Sequence, residues 1–178
     1  MTSALALAFF AVAARPQEGA AAREQARLCE KFTGEESLAA CHRAIELGLG
    51  PERLGPVRQI VARRLASLER WEELAEHFRL DAALQPLDPE ARLRLGSTLL
   101  FALGRPAEAM GELAEAVRLA PDSAVARAFL ALAQGASGRL KDAADGFEAA
   151  LRLDEHLLDH RPAMRAAFEA ARRGEPWP

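Results

Sequence analysis

Residues 124–155 read AVARAFLALAQGASGRLKDAADGFEAALRLDE and contain two segments with apolar residues at helical spacing. A Gly138-Arg139 pair separates the two segments, and small residues occupy the positions where two packed helices would touch. The stretch therefore predicts a helical hairpin.

The same pattern occurs one unit earlier in the chain. Seven positions keep the same or a similar residue 34 positions later. They are Gly104, Arg105, Ala109, Leu113, Ala116, Arg118 and Leu119, which recur as Gly138, Arg139, Ala143, Phe147, Ala150, Arg152 and Leu153. A period of this length with two helices per unit is typical of a helical solenoid. Neighbouring units stack in such a fold, because one unit cannot bury its apolar face alone.

These residues make the chain resemble the tetratricopeptide repeat (TPR) family over roughly residues 55–154. The last unit matches the family pattern with Leu130, Ala131, Gly138, Ala143, Phe147 and Ala150. The middle unit matches with Ser97, Gly104, Ala109, Leu113, Ala116 and Pro121, but Gly96 stands where the family has a bulky residue. An earlier unit matches with Val61, Ala62, Leu65, Trp71, Phe78 and Pro86, and it has Leu74 and Asp81 in place of alanine. The resemblance implies an all-α fold, a right-handed superhelical solenoid of antiparallel helix pairs.

The length suits one domain, which we expect over residues 23–178. It would contain a degenerate hairpin at 21–48 and repeats at about 55–88, 89–122 and 124–157. A C-terminal capping helix at 162–173 would follow, with Met164, Ala167, Phe168 and Ala171 on its apolar stripe. A solenoid needs such a helix because its last repeat would otherwise expose the core.

The N-terminal segment differs from the rest, since residues 4–14 form an unbroken apolar run. The run is too short to span a bilayer but suits the apolar region of a signal peptide. No Lys or Arg precedes it, so the alternative for residues 1–22 is a disordered Ala-rich terminus. The first interpretation predicts a periplasmic or secreted protein of a bacterial envelope, and the second leaves a cytoplasmic location open.

Cys29 and Cys41 are the two cysteines of the chain and lie on the facing stripes of the first predicted hairpin. In an exported protein we expect them to form a disulfide, since export places thiols in an oxidising compartment. The alternative is a pair of buried reduced thiols in a helical core.

Neither the charge nor the motifs indicate catalysis or nucleic-acid binding. The net charge of −3 is unlike the basic surface that binds nucleic acids. The chain has no phosphate-binding loop, nucleophile elbow or His-Glu-x-x-His motif, and we expect no enzyme activity and no cofactor. His156 and His160 are a weak metal candidate, because two histidines four residues apart share one face if the segment is helical.

Function is therefore sought on the surface that the fold presents. By resemblance, the first helix of each repeat lines a concave, peptide-binding groove. Its lining would include Gln59, Arg63, Ala91, Arg94, Thr98, Phe101, Val125, Ala128 and Leu132. This favours a non-catalytic interaction module or scaffold that binds a peptide or partner protein with acidic and apolar parts. The alternatives are a metal- or small-ligand-binding protein at His156 and His160, an adaptor subunit using its edge helices, and a groove filled by the chain's own Trp177.

Overall fold

The computed structural model describes residues 19–176, and these residues form helices and turns without a strand. The α-helices are α1 (Ala20–Lys31), α2 (Gly34–Glu46), α3 (Pro51–Ser67), α4 (Trp71–Leu84), α5 (Pro89–Ser97), α6 (Pro106–Leu119), α7 (Ala124–Ala136), α8 (Leu140–Leu153) and α9 (Pro162–Arg173). A π-helical turn, Thr98–Ala102, continues α5. The all-helical expectation is confirmed for this part of the chain.

The helices form two compact units, one ending at Leu68 and one beginning at Glu69. In the first unit, α2 packs against both α1 and α3. In the second unit each helix packs on the next, and α9 also contacts α7. The expectation of one domain over residues 23–178 stays a prediction.

The π-helical turn accommodates one extra residue in the middle repeat. From Pro89 to Pro106 the count is 106 − 89 = 17 residues, and from Ala124 to Leu140 it is 140 − 124 = 16. A π turn closes its hydrogen bond over one residue more than an α turn, as the Leu103 amide does by donating to the Thr98 carbonyl at 3.2 Å. Helix α5 therefore aligns with α7 at a spacing of 35 and not 34.

This shift corrects the interpretation of Gly96 as a missing bulky residue. At the spacing of 35, Gly96 is equivalent to Ala131, and the buried Leu95 takes the bulky position. A Cβ atom on Gly96 would lie 2.6 Å from Cγ of Leu113 on α6. Gly96 is thus the small residue that allows two helices to pack closely.

The turns that precede α4, α6 and α8 share one backbone conformation. Glu69, Gly104 and Gly138 have φ angles of 55°, 61° and 78°, all in the left-handed region. Glycine adopts this region without steric cost, whereas a side chain there costs about 1–2 kcal/mol. The turn before α4 is therefore strained at Glu69.

In the first unit, a disulfide joins Cys29 of α1 to Cys41 of α2. The fully buried Ser37 lies beside it and donates a hydrogen bond to the Cys29 carbonyl at 2.7 Å. Arg64 of α3 donates to the Ser37 hydroxyl at 3.0 Å and to the Phe32 carbonyl at 2.9 Å. The Ser37 hydroxyl thus connects α1, α2 and α3. The bond from Arg64 to Phe32 adds a direct contact between α3 and the end of α1.

Helix α9 buries the stripe that the sequence predicts for a cap. Met164, Ala167 and Ala171 are buried, and the Phe168 ring lies 5.5 Å from the ring of Phe147 on α8. The helix ends at Gly174, which has a left-handed conformation that suits a C-terminal cap. The prediction of a capping helix is confirmed.

Candidate functional site: an apolar cleft in the second unit

An apolar cleft of about 310 Å³ lies between the π-helical turn, α7 and the start of α9. We call it the apolar cleft. Its lining residues are Phe101, Phe129, Leu132, Arg161, Pro162, Ala163 and Met164. Ligand pockets begin at about 300 Å³, so this cleft has room for a large side chain.

Phe101 is an exposed large apolar side chain in this lining. Its relative exposure is 56%, although it stands at the end of a segment whose Leu99 and Leu100 are buried. The ring of Phe101 meets that of Phe129 edge-on, with centroids 5.6 Å apart. An aromatic pair with one exposed ring offers a ring face and edges to a third aromatic group.

The wall formed by α9 is held by the link that precedes it. The buried Leu157 and Leu158 anchor the link, and their carbonyls accept hydrogen bonds from Arg161 and from Arg165, the latter at 3.2 Å. Arg165 also reaches a carboxylate oxygen of Asp159 at 3.4 Å. The first turn of α9 is therefore fixed with respect to its own link.

A second contact within the link involves Asp159 and His156. The His156 Nδ1 atom lies 2.9 Å from the Asp159 carboxylate. This hydrogen bond, with the nearby positive charge of Arg165, lowers the pKa of Asp159 below its ordinary value. The Asp159 carboxylate is thus committed to the link and is not directed to the apolar cleft.

The charge at the apolar cleft is positive. No lining residue is acidic. Within residues 19–176, Arg161 forms no ion pair, and its hydrogen bond to the Leu157 carbonyl uses only Nη1. Helix α9 also begins here without a side-chain cap and without an acidic residue in its first turn, so its positive end adds to the charge of Arg161.

The predicted groove residues divide between the two units. Gln59 and Arg63 are exposed on α3 of the first unit, so their expected common wall with Arg94 stays a prediction. Phe101 and Leu132 meet at the apolar cleft, and Val125 is half-buried near the start of α7.

Four predicted groove residues have other roles or are inaccessible, and one of them, Ala91, is only 1% exposed. Arg94 pairs with Glu90 at 3.4 Å, and its guanidinium lies 5.9 Å from the Phe78 ring centroid. Thr98 is buried and donates a hydrogen bond to the Arg94 carbonyl, and Ala128 is fully buried. The one-residue shift explains why Thr98 is buried and does not line the groove. At the spacing of 35, the residue equivalent to Leu132 is Ser97 and not Thr98.

The groove residues predicted from the sequence did not include Phe129 or the four residues from Arg161 to Met164. Phe129 lies one helical turn before Leu132, so its spacing on α7 was a usable signal. The start of α9 gave no signal, because its place beside α7 depends on the path of the link.

A second hollow of about 420 Å³ lies between α1 and α2 in the first unit. Its lining residues are Gln25, Leu28, Phe32, Glu36, Ala39, Ala40 and Arg43. Both a carboxylate and a guanidinium border this hollow, so its charge is mixed.

The histidine pair does not have the geometry that made it a metal candidate. Residues 155–160 form turns and not a helix, so His156 and His160 do not share a helical face. Nowhere in residues 19–176 do three His, Cys, Asp or Glu side chains come together as a metal ion would require. Within the same residues, no helix has the length and apolar character needed to span a membrane.

The solved structures that share this fold include two of MamA. "MamA 41-end from Desulfovibrio magneticus RS-1" is 22% identical, covers 88% of this chain and 92% of its own, and has a TM-score of 0.66. A "MamA RS-1 ArsTM double mutant" is 21% identical with the same coverage and a TM-score of 0.67. No family model and no curated protein matches the chain. The likeness to MamA, a TPR-like helical protein, confirms the predicted all-α, TPR-like fold and extends to the fold alone.

Proposed function

We propose that this protein is a non-catalytic interaction module that binds a peptide or a partner protein at the apolar cleft. One observation carries the proposal: Phe101 is 56% exposed beside Phe129 in a lining without acids. Exposed aromatic side chains at a concave site are typical anchors for binding partners. The TPR-like fold supports this function, because stacked helix pairs provide rigid walls for such a site.

Capture of a partner tests the proposal. The protein is immobilised and incubated with envelope extract of the source organism, in its wild-type form and as Phe101→Ala. The matched control is Leu84→Ala, which removes an equally exposed apolar side chain outside the apolar cleft. We expect Phe101→Ala to lose the captured protein and Leu84→Ala to retain it. Equal capture by both variants would refute binding at the apolar cleft.

We further propose that the protein acts in the bacterial envelope. The apolar run at 4–14, which lies outside the described residues, supports export. The pairing of Cys29 with Cys41 is compatible with an oxidising compartment. Expression with the natural N-terminus and N-terminal sequencing test this proposal: a mature chain beginning between residues 14 and 23 is expected. An uncleaved chain retained in the cytoplasm would contradict it.

A second candidate function is that of an adaptor subunit. Leu80 and Leu84 are exposed four residues apart on one side of α4, and Leu87 is exposed in the turn after it. Apolar residues at this spacing form a stripe that suits packing against another protein. Under this alternative, the experiment above would lose its captured protein with Leu84→Ala and retain it with Phe101→Ala.

A further inference from the structure

We propose that the apolar cleft recognises an aromatic residue that has an acidic residue next to it in a peptide. The aromatic ring would enter the cleft, and Arg161 would bind the neighbouring carboxylate. This inference rests on the proposed function and adds the chemistry of the partner.

The ring is favoured by the groups that line the cleft. Phe101 and Phe129 already pack edge-on at 5.6 Å, and a third ring can extend that arrangement. Met164, on the opposite wall, provides a polarizable thioether, which makes favourable contacts with aromatic edges. The remaining walls, Leu132, Pro162 and Ala163, are apolar and offer no side-chain hydrogen bond. The cleft thus provides aromatic and sulfur contacts for a ring, and no polar anchor inside it.

The carboxylate is favoured by the charge at the rim. Many arginines of the second unit already hold a carboxylate, as Arg105 holds Glu108, Arg118 holds Glu115 and Arg139 holds Asp142. Arg161 has no such partner among the described residues, and its Nε and Nη2 donors are not engaged by any of them. A guanidinium with adjacent free donors suits a carboxylate, which it binds through two parallel hydrogen bonds. The uncapped start of α9 adds positive potential at the same place.

The chain's own tail contains an acid and an aromatic residue, Glu175 and Trp177, but it begins at the wrong end of α9. Glu175 pairs with Arg173 at 2.8 Å, beyond the end of the helix opposite to the apolar cleft. From Met164 to Arg173 the helix rises about 14 Å, at 1.5 Å per residue. The backbone from Glu175 to Trp177 extends by about 7 Å at most, so the tail would have to double back fully extended along α9 for its indole to approach the cleft. A peptide from another molecule is therefore the occupant that the geometry favours.

Binding of short labelled peptides to the full chain tests this inference. The probe is a fluorescent Gly/Ser octapeptide with a central Phe-Glu, compared with otherwise identical peptides that contain Phe-Gln or Ala-Glu. Fluorescence anisotropy gives the affinities, and amide shifts in ¹⁵N spectra locate the site. We expect the Phe-Glu peptide to bind about three- to tenfold more tightly than the Phe-Gln peptide. The Ala-Glu peptide should bind at least about tenfold more weakly than the Phe-Glu peptide.

Variants of the protein separate the two parts of the recognition. Arg161→Gln removes the charge but keeps an amide that can donate to the Leu157 carbonyl, so the link should stay folded. Its matched control is Arg152→Gln, which removes an exposed arginine of α8 outside the apolar cleft. Arg161→Gln should abolish the preference for Phe-Glu over Phe-Gln, whereas Arg152→Gln should retain it. Phe101→Ala should weaken both Phe-containing peptides at low and high salt.

Three other results of these binding experiments would contradict all or part of the inference. If the Phe-Glu and Phe-Gln peptides bind equally and Phe101→Ala weakens both, the acidic part of the inference is wrong and the proposed function stands. If no peptide shifts the amides of the apolar cleft, the inference fails, and partner capture in the extract experiment decides the proposed function separately. If deletion of residues 176–178 raises the affinity about tenfold or more, the tail occupies the cleft and the inference is overturned.

Discussion

Replacement of Gly96 by alanine tests the register that the π-helical turn creates. The new Cβ would lie 2.6 Å from Cγ and 2.8 Å from Cδ2 of Leu113. Leu113 is fully buried and Cγ is the branch point of its side chain, so a rotation of the methyl groups does not remove the clash. Overpacking of this kind costs about 1–3 kcal/mol.

The intrinsic gain from alanine in a helix opposes this cost. Alanine is favoured over glycine by about 1 kcal/mol in a helix interior. We therefore expect Gly96→Ala to lower the free energy of unfolding by as much as about 2 kcal/mol, the overpacking cost less that gain. Gly111→Ala is the matched control, because Gly111 lies within α6 and a Cβ there meets no atom within 4 Å. The control should gain about 1 kcal/mol, so the difference between the two variants isolates the clash at about 1–3 kcal/mol.

Urea unfolding followed by circular dichroism measures both variants. A double-mutant cycle with Leu113→Ala adds a second comparison, since that truncation removes the atoms with which the new Cβ would collide. In the Leu113→Ala background, Gly96→Ala should behave like Gly111→Ala. Equal stabilisation by Gly96→Ala and Gly111→Ala in the wild-type background would refute both the close contact and the register.

Three further predictions concern a turn, the cysteines and acid stability. Glu69→Gly should raise the free energy of unfolding by up to about 1 kcal/mol, since Glu69 is held at a φ of 55°; no gain in urea unfolding would contradict the strain at that turn. The double variant Cys29→Ala and Cys41→Ala should lose about 3 kcal/mol, because the disulfide closes a loop with a sequence separation of 12; two thiols alkylated in the folded, unreduced protein would contradict the bond. Folding lowers the pKa of Asp159, so the ionised carboxylate stabilises the folded protein. This stabilisation is complete above the ordinary pKa of 3.8, and it is lost as the pH falls through the lower pKa of the folded state. An NMR titration of the Asp159 carboxyl should therefore give a midpoint below 3.8, which His156→Ala should raise.

The sequence was sufficient for the presence of most helices because each carries its own periodic signal, but α3 begins at Pro51 and not at the expected position of about 55. The positions of Gly104 and Gly138 located two turns, and the stripe through Met164 and Ala167 located the cap. The π-helical turn was not predictable in the same way: an alignment without gaps assigns its extra residue to the wrong place. That error moved Gly96 and Thr98 by one position.

Prediction of the candidate site was limited in the same way, because part of its lining follows no periodic pattern. Phe101 and Leu132 follow from the repeat, because each lies on a first helix of a repeating unit. The wall from Arg161 to Met164 depends on the irregular link at residues 154–161, whose conformation is set by contacts such as those of Asp159 with His156 and Arg165. Contacts of this kind join residues without a period, so the pattern of the sequence did not indicate them.

The Ser37 hydroxyl affects the local unfolding of the N-terminal helices α1 and α2. A terminal helix usually frays first, and a disulfide alone would hold α1 at a single point. Ser37 and Arg64 add hydrogen bonds to the Cys29 and Phe32 carbonyls at the end of α1. Reduction of the disulfide should therefore leave the amides of α1 and α2 slow to exchange with deuterium, and Ser37→Ala in the reduced protein should release both helices together as one local unfolding unit.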